Sequence, residues 1–262
     1  MATVRLTASV RRCLRGRHCR AIGLSRRRRA ACGTLRAAPK IAQSGAQALT
    51  ISPTDFASLL CSRLCHDLLS PVGALNNGLE LLADEHDPEM RARCLELLAD
   101  SAKASANKLK FFRLAFGAAG GFGESVDSRE ARAAIEGLFG DGHKVKLGWL
   151  VEDATLPKPA IKVLLNLALI AGDALVRGGQ LDVGAESTDG QVEIVVRAAG
   201  LRIVLDAEMR AALTGTSGDA TLTPRAAAAH LVHALVAEGG GTVQISPPDD
   251  AILVFGVAFK AA

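Results

Sequence analysis

The chain has 262 residues, 49% hydrophobic and 22% charged, a globular composition sufficient for one large domain or two small ones. No run approaches the roughly eighteen apolar residues of a membrane-spanning helix. With eight Phe, one Trp and no Tyr, Ala and Leu must fill the core, which favours helices. The formal net charge of +4 hides a division: residues 1–50 carry twelve Lys and Arg and no acid, while the rest carries 19 basic and 27 acidic groups, a net of −8.

The basic segment comes first. "RRCLRGRHCRAIGLSRRRRAACGTLRAAPK" has no defensible apolar helical face, and its self-repulsion predicts a disordered tail over residues 1–50. A nucleic-acid patch would use the Arg charge but would want interleaved aromatics, which are missing, so no nucleic-acid partner is expected. A transit peptide is Arg-rich and acid-poor, as this is; a secretory signal would need an apolar stretch that it lacks. The six Cys, at 13, 19, 32, 61, 65 and 94, show no CxxC spacing, so no metal site is expected. Cys61, Cys65 and Cys94 fall in helical patterns and read as small core residues in a reducing cytoplasm.

A helix is predicted from about Thr54 to Ala83. Ser52 or Thr54 can cap it, Pro53 suits its first turn, and Asp55 suits its positive end. Cys61, Leu64, Leu68, Val72, Leu75, Leu79 and Leu82 recur at steps of three and four, a seam for close helix packing. "DEHDP" is a turn. Asp87 and Pro88 open a second helix, with Cys94, Leu97, Leu98, Ser101, Ser105, Leu109, Phe112 and Phe116 as its stripe. Residues 51–120 thus form a helical hairpin. Two helices cannot close a core, and the simplest completion is a four-helix bundle in a homodimer.

The pattern changes over residues 124–262. Helix, strand, helix, two strands joined at Thr188-Asp189-Gly190, two helices and a final strand pair follow in order. This predicts an α+β chain: the N-terminal hairpin, then an α/β sandwich with a mixed sheet and helices on one face.

His66 lies inside the first helix. Residues three, four or seven away share its face: Leu59, Ser62, Arg63, Ser70, Gly73 and Asn77, mostly small or polar. A core histidine would sit among Leu and Val. A metal site, or a nucleophile pair with Cys65, fails because adjacent helical residues point about a hundred degrees apart. A solvated histidine without a role is the plain alternative. Phosphoryl transfer needs an exposed imidazole on a rigid element, with small neighbours that admit a partner. Ser62, Ser70 and Gly73 supply access, and Arg63 is placed to attract phosphate charge.

"HDLLSP", His66 to Pro71, resembles the H-box of histidine kinases, which lies on the first helix of a dimeric hairpin followed by an ATP-binding domain. The segment "LCSRLCHDLLSPVGALNNGLELL" is similar to ChpT-type histidine phosphotransferases of alphaproteobacterial cell-cycle phosphorelays, and the resemblance covers residues 54–262. Nucleotide-binding members carry two asparagines four apart; here Asn166 is kept and Ile170 takes the second place. Their next motif is filled by Ala198, Gly200 and Arg202, and their lid motif by Ala226, Ala227, Ala228 and Ala229. The resemblance therefore implies a kinase-like domain without ATP. It implies a cytoplasmic histidine phosphotransferase with His66 as catalytic residue and Asp67 and Ser70 in support. Leu59, Ser62, Arg63, Gly73 and Asn77 would meet the partner. It further implies a hybrid kinase (CckA) upstream, the response regulators CtrA and CpdR downstream, no cofactor of its own, and Mg2+ on the partner's receiver domain. An active histidine kinase with divergent boxes and a non-catalytic dimerisation adaptor are the competing readings.

Overall fold

The computed structural model describes residues 51–117, 124–140, 144–216, 222–248 and 251–261; the basic segment and its expected disorder lie outside them. Helix α1 spans Pro53–Asp84. Ser52 is its cap, with Oγ accepting from the Asp55 amide at 3.1 Å, and Pro53 sits in the first turn, where its missing N–H costs no helical bond. Helix α2 spans Pro88–Ala115 and opens on Asp87, whose Oδ1 accepts from the Glu89 and Met90 amides. The helices form the expected hairpin. Gly78 is buried in it, and a Cβ there would stand 2.9 Å from Leu98 Cδ2, so a larger residue would require the Leu98 side chain to shift.

One expectation for the hairpin is corrected. The predicted α1 seam is not one covered face: Leu64, Leu68, Leu75 and Leu82 are half-buried, whereas Cys61, Val72 and Leu79 are exposed. Cys65 is exposed as well, and only Cys94 of these three thiols is a core residue. The seven positions share an arc of about 80° at about 100° per residue, but α2 lies to one side of it: the edge carrying Leu64, Leu68, Leu75 and Leu82 is partly covered and the edge carrying Cys61, Val72 and Leu79 is not.

The remaining elements are β1 (Ser125–Asp127), α3 (Ser128–Phe139), β2 (Val145–Trp149), β3 (Thr155–Pro157), α4 (Lys158–Ala174), β4 (Gly179–Thr188), β5 (Gln191–Ala199) and α5 (Ala207–Thr214). A 3-10 turn at Pro224–Ala226 then leads into α6 (Ala227–Glu238), β6 (Thr242–Ile245) and β7 (Ile252–Lys260). Five strands make one mixed sheet in the order β2-β4-β5-β7-β6, with β2 parallel to β4 and every other pair antiparallel. Alternate residues of its long strands point inward: Leu181 and Val183, Val192, Ile194 and Val196, and Leu253, Phe255, Val257 and Phe259. Helices α3, α4 and α6 pack against the sheet, and α4 is buried along most of its length. The β4–β5 hairpin turns on Asp189 and Gly190 at φ +52° and +75°, the two left-handed residues of a tight turn that keeps register.

The sandwich therefore follows the predicted order, with an addition. Strands β1 and β3 pair antiparallel, setting buried Val126 opposite buried Leu156. Each is three residues long and runs directly into a helix, too short for alternation to show in the sequence.

The hairpin is seated on this sandwich. Phe56 near the start of α1 meets the His230 ring of α6 edge-on at 5.2 Å. At the far end of α2, buried Asn166 of α4 donates from Nδ2 to the Ala115 carbonyl at 3.1 Å and to the Lys162 carbonyl at 2.8 Å.

Candidate functional site

His66 projects from the middle of α1 with 85% of its side chain exposed. Its Nδ1 lies 3.2 Å from Oδ1 of Asp67, and Nε2 makes no hydrogen bond among the described residues. The simple wheel sets adjacent side chains about a hundred degrees apart, yet this pair comes within hydrogen-bond distance.

Asp67 is held at two points. Pro71 has no N–H, so the carbonyl four residues earlier, that of Asp67, lacks its helical donor. Lys108 of α2 supplies one instead, donating from Nζ to Asp67 O at 2.7 Å. On the side chain, Oδ2 accepts from Arg63 Nε at 2.6 Å. The proline of the "HDLLSP" stretch thus ties α2 to the acid beside His66, a consequence invisible in linear sequence.

Arg63 departs from its expected place. Its side chain is 11% exposed and turned inward, with Nη2 donating to Asp173 Oδ2 of α4 at 3.1 Å. Burial alone would lower its pKa, but Asp173 and then Asp67 more than reverse that, so the guanidinium stays firmly charged. With two carboxylates already on it, Arg63 is not the surface cation that would draw phosphate to His66. The protein packed around Asp173 pushes that carboxyl upward against the pull of Arg63. Since 41% of the Asp173 side chain is open to water, screening weakens that push.

The rest of the predicted face is as small and open as its composition implies. Ser62, Ser70 and Asn77 are exposed, Leu59 and Gly73 are half-buried, and a Cβ on Gly73 would meet nothing within 4 Å. Lys108 and Asp173 were missed by sequence reasoning. Neither carries a local signal: Lys108 matters only through Pro71, and Asp173 stands 110 residues from Arg63.

Most of the positions compared with nucleotide motifs are packed with apolar atoms, although Gly200 and Arg202 are exposed. Ile170 and Ala198 are buried, and so are Ala226, Ala227, Ala228 and Ala229. Asn166 spends its amide on the two carbonyls above, and its Oδ1 is buried without a partner. Among the described residues no group of three or more His, Cys, Asp or Glu could hold a metal ion, and no helix is long and apolar enough to cross a membrane.

Comparison with known proteins gives three findings. The family model for the histidine phosphotransferase C-terminal domain matches residues 128–251. Protein phosphotransferase ChpT of Brucella abortus (strain 2308) is 40% identical over 152 residues, 58% of this chain and 71% of that protein. A solved bacterial phosphotransferase superposes with a TM-score of 0.71 at 31% identity, covering 80% of this chain and 98% of that one.

Proposed function

The chain belongs to the histidine phosphotransferase family, and on that premise we propose that His66 is the residue that carries the phosphoryl group. The group arrives from the aspartyl phosphate of one receiver domain, rests on Nε2 of His66, and leaves for the aspartate of another. One observation carries the assignment: an 85% exposed imidazole on a rigid helix, with Nδ1 beside a carboxylate and Nε2 unengaged.

The chemistry follows from that geometry. Asp67 Oδ1 accepts a hydrogen bond from Nδ1–H, which keeps that proton on the ring and leaves the lone pair on Nε2. Nε2 attacks phosphorus, the N–P bond forms, and the P–O bond to the donor's aspartate breaks, its electron pair returning to that carboxylate. The ring becomes cationic, and Asp67 offsets the charge at the moment it develops. Transfer onward is the same sequence reversed, with a second carboxylate as nucleophile. In this reading the receiver supplies the Mg2+ that would offset phosphoryl charge.

A receiver would lie across Leu59, Ser62, Ser70, Gly73 and Asn77, with part of α2 alongside. Small side chains there let an aspartate reach near-attack distance. The uncovered apolar positions of α1 and α2 support a homodimer joined through the hairpins. The apolar packing at Ile170, Ala198 and Ala226–Ala229 supports a phosphotransferase that does not use ATP. Placement in a cell-cycle relay, with a CckA-like source and CtrA- and CpdR-like recipients, rests on the likeness of the segment from Leu60 to Leu82.

The test is transfer from a phosphorylated receiver domain to the full chain, with the labelled residue located by peptide mapping under alkaline conditions that preserve phosphohistidine. His66→Gln should abolish labelling and leave the melting temperature unchanged, because the side chain is exposed. Transfer that survives this substitution would remove the proposal.

A further inference from the structure

A carboxylate orients an exposed imidazole only if it is itself held. Asp67 Oδ2 is taken by Arg63 Nε at 2.6 Å, which leaves Oδ1 for His66 Nδ1. Arg63 would be free to swing on the helix surface, but Asp173 of the sandwich accepts its Nη2 at 3.1 Å. The guanidinium is a rigid planar fork, so holding two carboxylates on two of its nitrogens, Nε and Nη2, restrains its orientation and theirs. Exposed ion pairs contribute little, but Arg63 and Asp67 are sheltered, at 11% and 17% exposure. The result is a run of contacts, Asp173 to Arg63 to Asp67 to His66, that begins in one domain and ends at the reactive ring of the other.

We propose that Arg63, anchored by Asp173, is a positioning residue for phosphotransfer. It turns Asp67 Oδ1 towards His66, so the ring keeps its proton on Nδ1 and presents the lone pair of Nε2. The inference rests on the assignment of His66 as phosphoacceptor. It gives the sandwich domain a part in the reaction that requires no nucleotide: α4 supplies the anchor. Without Arg63, Asp67 loses the partner of Oδ2, its carboxylate rotates, and the ring samples both tautomers. The nucleophile is then correctly placed for only part of the time.

The experiment uses the full chain carrying 15N-labelled histidine, with the His66 signals assigned by their loss in His66→Gln. Ring-nitrogen shifts at a pH where the imidazole is neutral report the tautomer. Labelling by phosphoramidate, a small donor that needs no docking surface, reports the intrinsic reactivity of Nε2. In the unsubstituted chain the Nδ1–H form should dominate. Arg63→Gln should mix the tautomers and slow phosphoramidate labelling about tenfold or more, as expected when a histidine loses its tautomer control. Asp173→Ala should do the same by a smaller factor, and Arg63→Lys should recover part of the loss. Asp173 is a half-exposed residue, so Asp173→Ala decides the matter alone if Arg63→Gln does not fold. Unchanged tautomer and rate in these variants, with His66 labelled in the unsubstituted chain, would overturn the inference. An unsubstituted chain that takes label elsewhere than His66 would overturn the assignment beneath it.

Discussion

Gly73 lies two turns beyond His66 on the same face of α1, and a side chain built there would extend into open space. Gly73→Arg should therefore fold normally, gaining a little helix propensity over glycine. It should leave the His66 ring and Asp67 undisturbed while placing a long cation on the face proposed to receive the receiver domain. Labelling by phosphoramidate should persist and receiver-dependent labelling should fall sharply; equal loss of both would show that the residue acts on the ring and not on docking. That His66 and Gly73 share one face of α1 was legible from helical spacing, because the seven-residue step is local. Arg63 was legible only as a position. Its partners across the domain junction turn it inward, and nothing near it in sequence announces Asp173.

At the scale of the element, both hairpin helices carry a second stripe, apolar except for Asn76, beside the one that joins them. On α1, Cys65, Leu69, Val72, Asn76 and Leu79 follow at steps of four and three; on α2, Leu95, Ala99, Ala102, Ala106 and Leu109 do the same, and all ten are exposed. That repeat is the pattern of a helix packed against further helices. Leu69 is 69% exposed and Leu79 57%, and covering each would contribute about 1.5–3 kcal/mol. Leu69→Glu with Leu79→Glu should give a folded monomer in light scattering, with far-ultraviolet circular dichroism retained. An unchanged mass would place the partner surface elsewhere, and a monomeric unsubstituted chain would remove the dimer altogether. Leu75 is the poorer choice, since it is half-buried within its own hairpin and Leu75→Asp would confound folding with association. Helix ends and element order were readable because capping residues and periodicity are local. The division of the α1 seam into an inner and an outer stripe was not, because it depends on which side α2 takes.

Over the whole molecule, the hairpin is seated on the part of the sandwich that carries the Ala226–Ala229 run, one of the positions compared with nucleotide motifs. The Ala226–Ala229 run is buried at the start of α6, and the ring of His230, the next residue, is engaged by Phe56 of α1. Side chains there are small because helices approach closely, and small apolar side chains offer no donor to a phosphate. Asn166 is turned towards the end of α2, not outward. On the proposed ATP-independent reading, a nucleotide seated over the Ala226–Ala229 run would have to part α1 from α6 and expose those buried alanines. The expected outcome is that Mg–ATP at millimolar concentration leaves the melting curve of the full chain in place and gives no saturable heat in calorimetry. The measurement is sensitive enough to decide: a ligand present at a hundred times its Kd stabilises the folded state by about 2.7 kcal/mol. In a chain of this size that is roughly 5–10 °C in melting temperature. A shift of that order, removed by Asn166→Ala, would restore the reading of an active kinase with divergent boxes, because it would require the buried amide to leave the Ala115 carbonyl and face a nucleotide.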